Sequence, residues 1–233
     1  MTLCRIQSDD AVDLWLHNFG YESLEQMQEF HGLSVDGRCM QTTLEVMERP
    51  RCGVKDFRVQ ADCRWEKRDL RYWNGTGRFS LFHAELGRAV SNKISMQFID
   101  AGFQRWLQVL PGFTFTRTLS EADADMWIGG GMGASHGFDG PGRTLAWAEM
   151  PCGEPGRLTC RFDMSERYTN NSKKRYQFPW IFARAVWLHE LGHLLGLDHS
   201  RNPRDIMSPY YNPDIADLQP GDIKRIQQLY GIT

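Results

Sequence analysis

The sequence predicts an α+β protein of two unequal units, a small helical one followed by a larger mixed one. Three observations carry that expectation. A chain of 233 residues with 41% hydrophobic content can bury one full core plus a small accessory one. From Ala11 to about Arg49 the apolar residues recur at helical spacing. Beyond residue 60, short runs of strand character are interleaved with two long helical stretches, and a capped amphipathic helix closes the chain.

Taken in order, Val12, Leu14, Trp15, Leu16 and Phe19, then Leu24, Met27 and Phe30, then Leu44, Val46 and Met47 mark three short helices. Gly20 and Gly32 separate them, and Ser34-Val35-Asp36-Gly37 reads as a turn before the third. Residues 65–73 read as a first strand and residues 84–107 as a helix. Residues 113–117 alternate and form a second strand, and 124–128 a third. The glycine run 129–133 has neither a Gly-Lys-Ser/Thr nor a following helix, so it is no phosphate loop. Phe178-Pro179-Trp180-Ile181-Phe182 opens a helix that is apolar nearly all round, with Pro179 where a missing N–H costs nothing. Residues 218–231 form the final helix.

Composition removes several classes of function. A net charge of −2 with both signs scattered leaves no basic footprint for nucleic acid. No apolar run approaches a membrane span. Met1-Thr2-Leu3-Cys4-Arg5 lacks a charged start followed by an apolar core, so no secretory signal is visible. Of six cysteines, Cys152 and Cys160 flank a Gly/Pro-rich loop at a spacing that suits a local disulfide in an oxidising compartment. Cys4, Cys39 and Cys63 form an odd remainder.

The chemistry is concentrated in residues 189–199, His-Glu-Leu-Gly-His-Leu-Leu-Gly-Leu-Asp-His, which reads H-E-x-x-H-x-x-G-x-x-H. Histidines four apart lie about 40° apart around a helix axis, so His189 and His193 can address one metal ion. Glu190 stands beside the first ligand, in reach of an attacking water whose proton it can take. Gly196 can enter the left-handed conformation that ends a helix, and the turn brings His199 to the metal from another side. Three neutral imidazoles leave a fourth position open, the mark of a catalytic zinc site.

Downstream, Asp205-Ile206-Met207-Ser208-Pro209-Tyr210-Tyr211 stands where a metzincin places its methionine turn. Far upstream lies Pro50-Arg51-Cys52-Gly53-Val54-Lys55-Asp56. With these, and with Gln28-Glu29-Phe30-His31-Gly32-Leu33 and Leu44-Glu45-Val46-Met47, the chain resembles a matrixin (matrix metalloproteinase) zymogen of the metzincin clan along nearly its whole length. The resemblance implies a three-helix propeptide over residues 1–60, of a fold shared with peptidoglycan-binding modules. It also implies a catalytic domain over 61–233, a twisted mostly parallel sheet with two long helices and a C-terminal one. Its implied activity is a secreted zinc metalloendopeptidase acting on extracellular or matrix proteins, monomeric and inhibited by its own propeptide, here without a hemopexin-like domain.

Residue by residue, the resemblance makes Cys52 the latent form's zinc ligand, a soft thiolate in the fourth position, with Arg51 and Asp56 holding its loop as a pair. The family's usual proline is Lys55 here, which loosens that loop. Activation cleavage is expected in the linker of residues 57–64, and residues 93–102 look like an extra stretch within the helix, either a helical extension or a bulged loop. Leu145 and Ala146 belong to the upper-rim strand that pairs with substrate, and Pro209 and Tyr211 to the wall of the pocket beyond the scissile bond. Ala185 sits at the position that tends to set that pocket's depth, and Trp187 replaces a small family residue. Asp139, Asp163 and Glu166 match side-chain ligands of a structural calcium ion. Family histidines for a second, structural zinc fall at Trp147 and Arg161, so one zinc per chain is expected, with a Cys152–Cys160 bridge in place of the lost staple. Asn74-Gly75-Thr76 and Asn170-Asn171-Ser172 are glycosylation acceptors by pattern. A competing reading, a cell-wall hydrolase whose N-terminal helices bind peptidoglycan, gives Cys52 no use.

Overall fold

The computed structural model describes residues 8–57, 63–74, 92–153 and 155–232, with backbone alone for 92–97. Cys4, most of the 57–64 linker and the start of the helix expected from residue 84 lie outside the described residues.

The three expected N-terminal helices are α1 (Asp9–Phe19), α2 (Leu24–Phe30) and α3 (Gln41–Met47). Ser8 and Ser23 cap the first two, their hydroxyls accepting from the Ala11 and Gln26 amides and so pairing donors that a helix start leaves open. Gly20 ends α1 in the left-handed region. The helices close on a core of their own, Val12, Trp15, Phe19, Met27, Phe30 and Met47 among others, and the Trp15 indole donates to the Met47 carbonyl at 3.0 Å.

The chain then leaves this unit as β1 (Arg51–Cys52), followed by β2 (Asp69–Trp73), α4 (Asn92–Leu107), β3 (Thr114–Arg117), β4 (Met126–Gly131), β5 (Thr144–Ala148), β6 (Leu158–Asp163), β7 (Arg167–Thr169), β8 (Trp180–Phe182), α5 (Ala183–Leu194) and α6 (Pro220–Leu229). Six strands make one sheet in the order β1-β5-β6-β4-β2-β3, parallel except where β5 meets β6. β7 and β8 form a separate parallel pair. Helices α4 and α5 pack together, and α5 lies against β5 and β6. Every α5 residue but Arg184 is buried, which accounts for the all-round apolar sequence.

Three expectations change and one open alternative closes. The third strand, expected at 124–128, runs on through the glycines as β4 to Gly131. Trp180–Phe182 is a strand, and α5 begins at Ala183 rather than at Pro179, because the segment pairs with β7 before turning. Residues 93–102 run inside α4 without a bulge. The disulfide joins Cys63 to Cys152, with Cα atoms 4.0 Å apart, and Cys160 is a buried free thiol. Strand alternation explains the correction. Cys160, with Leu158 and Phe162, points into the core from β6, whereas Cys152 lies past the end of β5 with its backbone bridged to that of Cys63.

Candidate active site

Helix α5 delivers His189, Glu190 and His193 from one rigid rod. Trp65 and Tyr230 hold its far end by donating to the otherwise unpaired carbonyls of Leu194 and Leu195 at 2.8 and 2.9 Å. The helix stops at Gly196, whose φ of 98° suits glycine. A Cβ there would also lie 1.9 Å from the Cys63 carbonyl oxygen, so the disulfide-anchored segment at Cys63 presses directly on the turn. The reversal carries His199 back to the other two rings, whose centroids are 5.2 and 4.7 Å from its own.

Ligand atoms of His189, His193, His199 and Cys52 all lie within 4.8 Å of one another and all four residues are buried. The hydrogen bonds decide what this cluster can hold. His189 Nδ1 meets the Ile206 carbonyl and His193 Nδ1 the Leu197 carbonyl, both at 2.7 Å. A carbonyl only accepts, so both Nδ1 atoms carry the proton and both Nε2 atoms present lone pairs. Those Nε2 atoms are 3.1 Å apart, and the Cys52 sulfur is 3.5 Å from His193 Nε2. Lone pairs converging in a buried site repel unless a cation lies between them. Nitrogen and sulfur donors in this number suit zinc, so the residues fit the ion that the motif implies.

Burial keeps the His189 ring neutral, lowering its pKa to about 3. Burial also pushes the Glu190 carboxyl up to about 8, and its Oε2 has no hydrogen-bond partner. Beneath the rings Met207 is fully buried, its sulfur lying against Gly192, where a Cβ would come within 2.3 Å of it. Two residues that pattern reading had assigned no role hold this turn. Asp222, on the first turn of α6, accepts from the Ile206 and Met207 amides at 2.9 and 3.1 Å. Asp205 accepts from the Ser200 hydroxyl and the Asn202 amide group. The only sequence signal for Asp222 was its place three residues after Gln219 in a capping pattern.

The cleft runs between β5 and residues 209–211, and residues 50–53 lie in it. Arg51 N donates to Arg143 O and Gly53 N to Ala146 O, both at 2.8 Å. On the other side Cys52 N donates to Pro209 O and Tyr211 N to Pro50 O, both at 2.9 Å. Leu145, Ala146, Pro209 and Tyr211 therefore do come together around one extended strand. Ala185, with Leu145, Val186 and Tyr211, lines the pocket beside His189. Trp187 faces the other way, donating to the Ile99 carbonyl of α4 at 3.1 Å, so it leaves that pocket's depth to others.

The expected Arg51–Asp56 pair is present and buried, with Arg51 Nη2 2.8 and 2.9 Å from the two carboxylate oxygens. Arg51 also stacks 3.5 Å from the centre of the Phe19 ring. Burial alone would raise the Asp56 carboxyl, but Arg51 and His199 outweigh it and hold it below the usual carboxylate range. Asp56 Oδ1 lies 2.6 Å from His199 Nδ1, and Tyr21 donates to its Oδ2. His31, which carried no role in the sequence reading, packs on Tyr210 and lies 2.8 Å from the Tyr21 hydroxyl.

The other expected ligands sit apart from the zinc cluster. Asp163 Oδ1 accepts from Ser165, while its buried Oδ2 has no partner. Burial pushes Glu166 up to about 7; the Gly142 amide opposes this, and Asp163 and Asp139 add to it. Asp139 accepts from the Thr144 amide and pairs with Arg143. Trp147 and Arg161 face each other across β5 and β6, but the indole donates to the His136 carbonyl and the guanidinium lies over the Trp127 ring.

The matrixin family profile matches residues 64–231. The chain belongs to the matrixin family. Rat (Rattus norvegicus) macrophage metalloelastase is 38% identical over 221 residues, covering 90% of this chain and 43% of the relative. Horse (Equus caballus) interstitial collagenase is also 38% identical, with the same coverage. Human matrilysin is 34% identical over 218 residues, 89% of this chain and 75% of the relative. This matrixin thus spans less than half the length of two of these relatives. The similarity extends beyond the profile into the N-terminal helices, since the matched lengths exceed residues 64–231.

Proposed function

We propose that this matrixin is a zinc metalloendopeptidase made as a latent zymogen, in which residues 1–60 inhibit the domain of residues 61–233. The convergence of three imidazoles with Cys52 beside Glu190 carries the reading. Zinc, held by His189, His193 and His199, supplies Lewis-acid polarisation of a carbonyl and makes water a nucleophile near neutral pH. Glu190 takes the proton of the attacking water and returns it to the leaving amine. The β5 edge at Leu145 and Ala146 holds a substrate peptide extended, and Pro209 and Tyr211 wall the pocket for the residue beyond the scissile bond. In the latent chain that space is filled by residues 50–53, which favours an inhibitory N-terminal unit over a peptidoglycan-binding one.

Calcium is proposed at Asp139, Asp163 and Glu166, where the unpartnered buried Asp163 Oδ2 and a Glu166 carboxyl raised by burial fit a hard cation. The Cys63–Cys152 bridge supports an oxidising, extracellular setting. Relatives named an elastase and a collagenase point to extracellular matrix and other extracellular proteins as substrates. Mass-spectrometric mapping of cuts in a denatured protein mixture, after activation with a thiol-capping mercurial, tests the reading. Internal cuts with an apolar residue on the C-terminal side are expected, and an absence of zinc-dependent cuts overturns it.

A further inference from the structure

A second surface of the molecule carries chemistry that peptide hydrolysis does not use. Between Glu166 and Glu190 the chain holds five cations, Arg167, Lys173, Lys174, Arg175 and Arg184, and no carboxylate, although acids outnumber bases overall by 29 to 27. Residues 170–179 form the loop that links β7 to β8, and the parallel ladder of those strands, Arg167 opposite Trp180 through Thr169 opposite Phe182, gives the loop a fixed base. In its second half Phe178 is 92% exposed and Tyr176 is 56% exposed. A single exposed aromatic is ordinary. Here two stand among cations whose stems lie along aromatic rings: Arg175 lies 4.8 Å from the centre of the Tyr176 ring, and Lys174 Nζ 5.7 Å from that of Trp180. Arg184 is partnered by Asp217, whereas Lys173 and Arg167 are exposed.

We propose that this loop docks the protein onto an anionic lipid surface, with Phe178 and Tyr176 entering the headgroup region and Lys173, Lys174, Arg175 and Arg167 facing acidic headgroups. Cations near an anionic leaflet and an aromatic ring at its boundary add to one another. A sulfated polysaccharide would use the same cations but gives Phe178 nothing to enter, so the exposed ring decides between the two partners. Because β8 runs straight into α5, docking here holds the cleft at a fixed distance from the surface.

The test is co-sedimentation of the full chain, produced without N-glycans so that Asn170 is bare, with phosphatidylcholine vesicles with and without phosphatidylserine. Binding is expected only to the anionic vesicles and is expected to weaken with salt. Phe178→Ser is expected to lower the partition coefficient about tenfold. The pair Lys173→Glu and Lys174→Glu is expected to lower it about thirtyfold. All three positions are at the surface or near it, and an unchanged thermal midpoint verifies that each variant is folded. Two results overturn the proposal: no binding to anionic vesicles, or binding that Phe178→Ser leaves untouched. Retention on a heparin column that depends on the lysines, together with the second result, reassigns the patch to sulfated polysaccharides.

Discussion

Glu190 and the three histidines divide their work by the direction of their hydrogen bonds. Each α5 imidazole spends its Nδ1 proton on a carbonyl, so its lone pair is committed to the ion, while Glu190 Oε2 is left without a protein partner. Replacing Glu190 by alanine therefore removes a proton carrier and no ligand. Peptide hydrolysis should fall at least about a hundredfold while bound zinc stays at the wild-type level. Turnover and zinc content measured on the same sample check both halves, and near-normal turnover defeats the mechanism. At Trp147 and Arg161 the argument runs the other way. Their polar atoms are engaged by the His136 and Gly130 carbonyls, and neither side chain can ligate zinc there. Elemental analysis of dialysed, metal-saturated protein should find one zinc per chain; two would require a second site among residues outside this cluster.

Helix α6 shows how an element remote from the chemistry supports it. The Asp222 side chain, completely buried, accepts from the Gln219 amide of its own helix start and from both the Ile206 and Met207 amides. One carboxylate thus caps a helix and clamps the turn beneath the rings. Asp222→Ala strands buried amides at both places and should cost about 3 kcal/mol, whereas Asp222→Asn, which keeps one acceptor oxygen, should cost less. Urea midpoints of the two variants, compared with the wild type, provide the check; equal midpoints would remove Asp222 from the support of the site. The zinc motif was legible because its residues lie within one helix and the turn after it, where offsets alone fix geometry. The clamp was not, since a buried aspartate at a helix start reads first as a cap. Nor was the Cys63–Cys152 bridge: its partners are 89 residues apart, while the nearer Cys160 is turned inward by strand alternation.

At the scale of the whole molecule, two hydrophobic cores are joined by a thin polar seam. Arg51, Asp56, Tyr21, His31 and Tyr210 make most of it, with Arg201 lying over Phe30 and Phe57 from the larger unit. The three N-terminal helices and β2, β3 and β4 were legible from periodicity, but β6, β7 and β8 were not, and β1 could not be, because two residues give no pattern and their partner strand is some ninety residues away. In the proposed zymogen, latency rests on that strand. It fills the edge of β5 and sets the Cys52 sulfur 3.5 Å from His193 Nε2, where it would compete with water for the fourth position on the ion. Cys52→Ser keeps the β1 hydrogen bonds and the Arg51–Asp56 pair but replaces a soft donor with a neutral hydroxyl, a much poorer zinc ligand. Water should then compete, so the variant should hydrolyse peptide without an activator or cut itself within residues 57–64. Such a cut ends the tethering that keeps the N-terminal unit at high local concentration, and dissociation should follow. Wild type and Cys52→Ser are to be assayed side by side, each with and without a thiol-capping mercurial. The wild type should rise sharply on capping and the variant should barely respond. Equal activity in all four samples would separate Cys52 from latency and leave the N-terminal helices as a plug of the cleft held by backbone pairing alone.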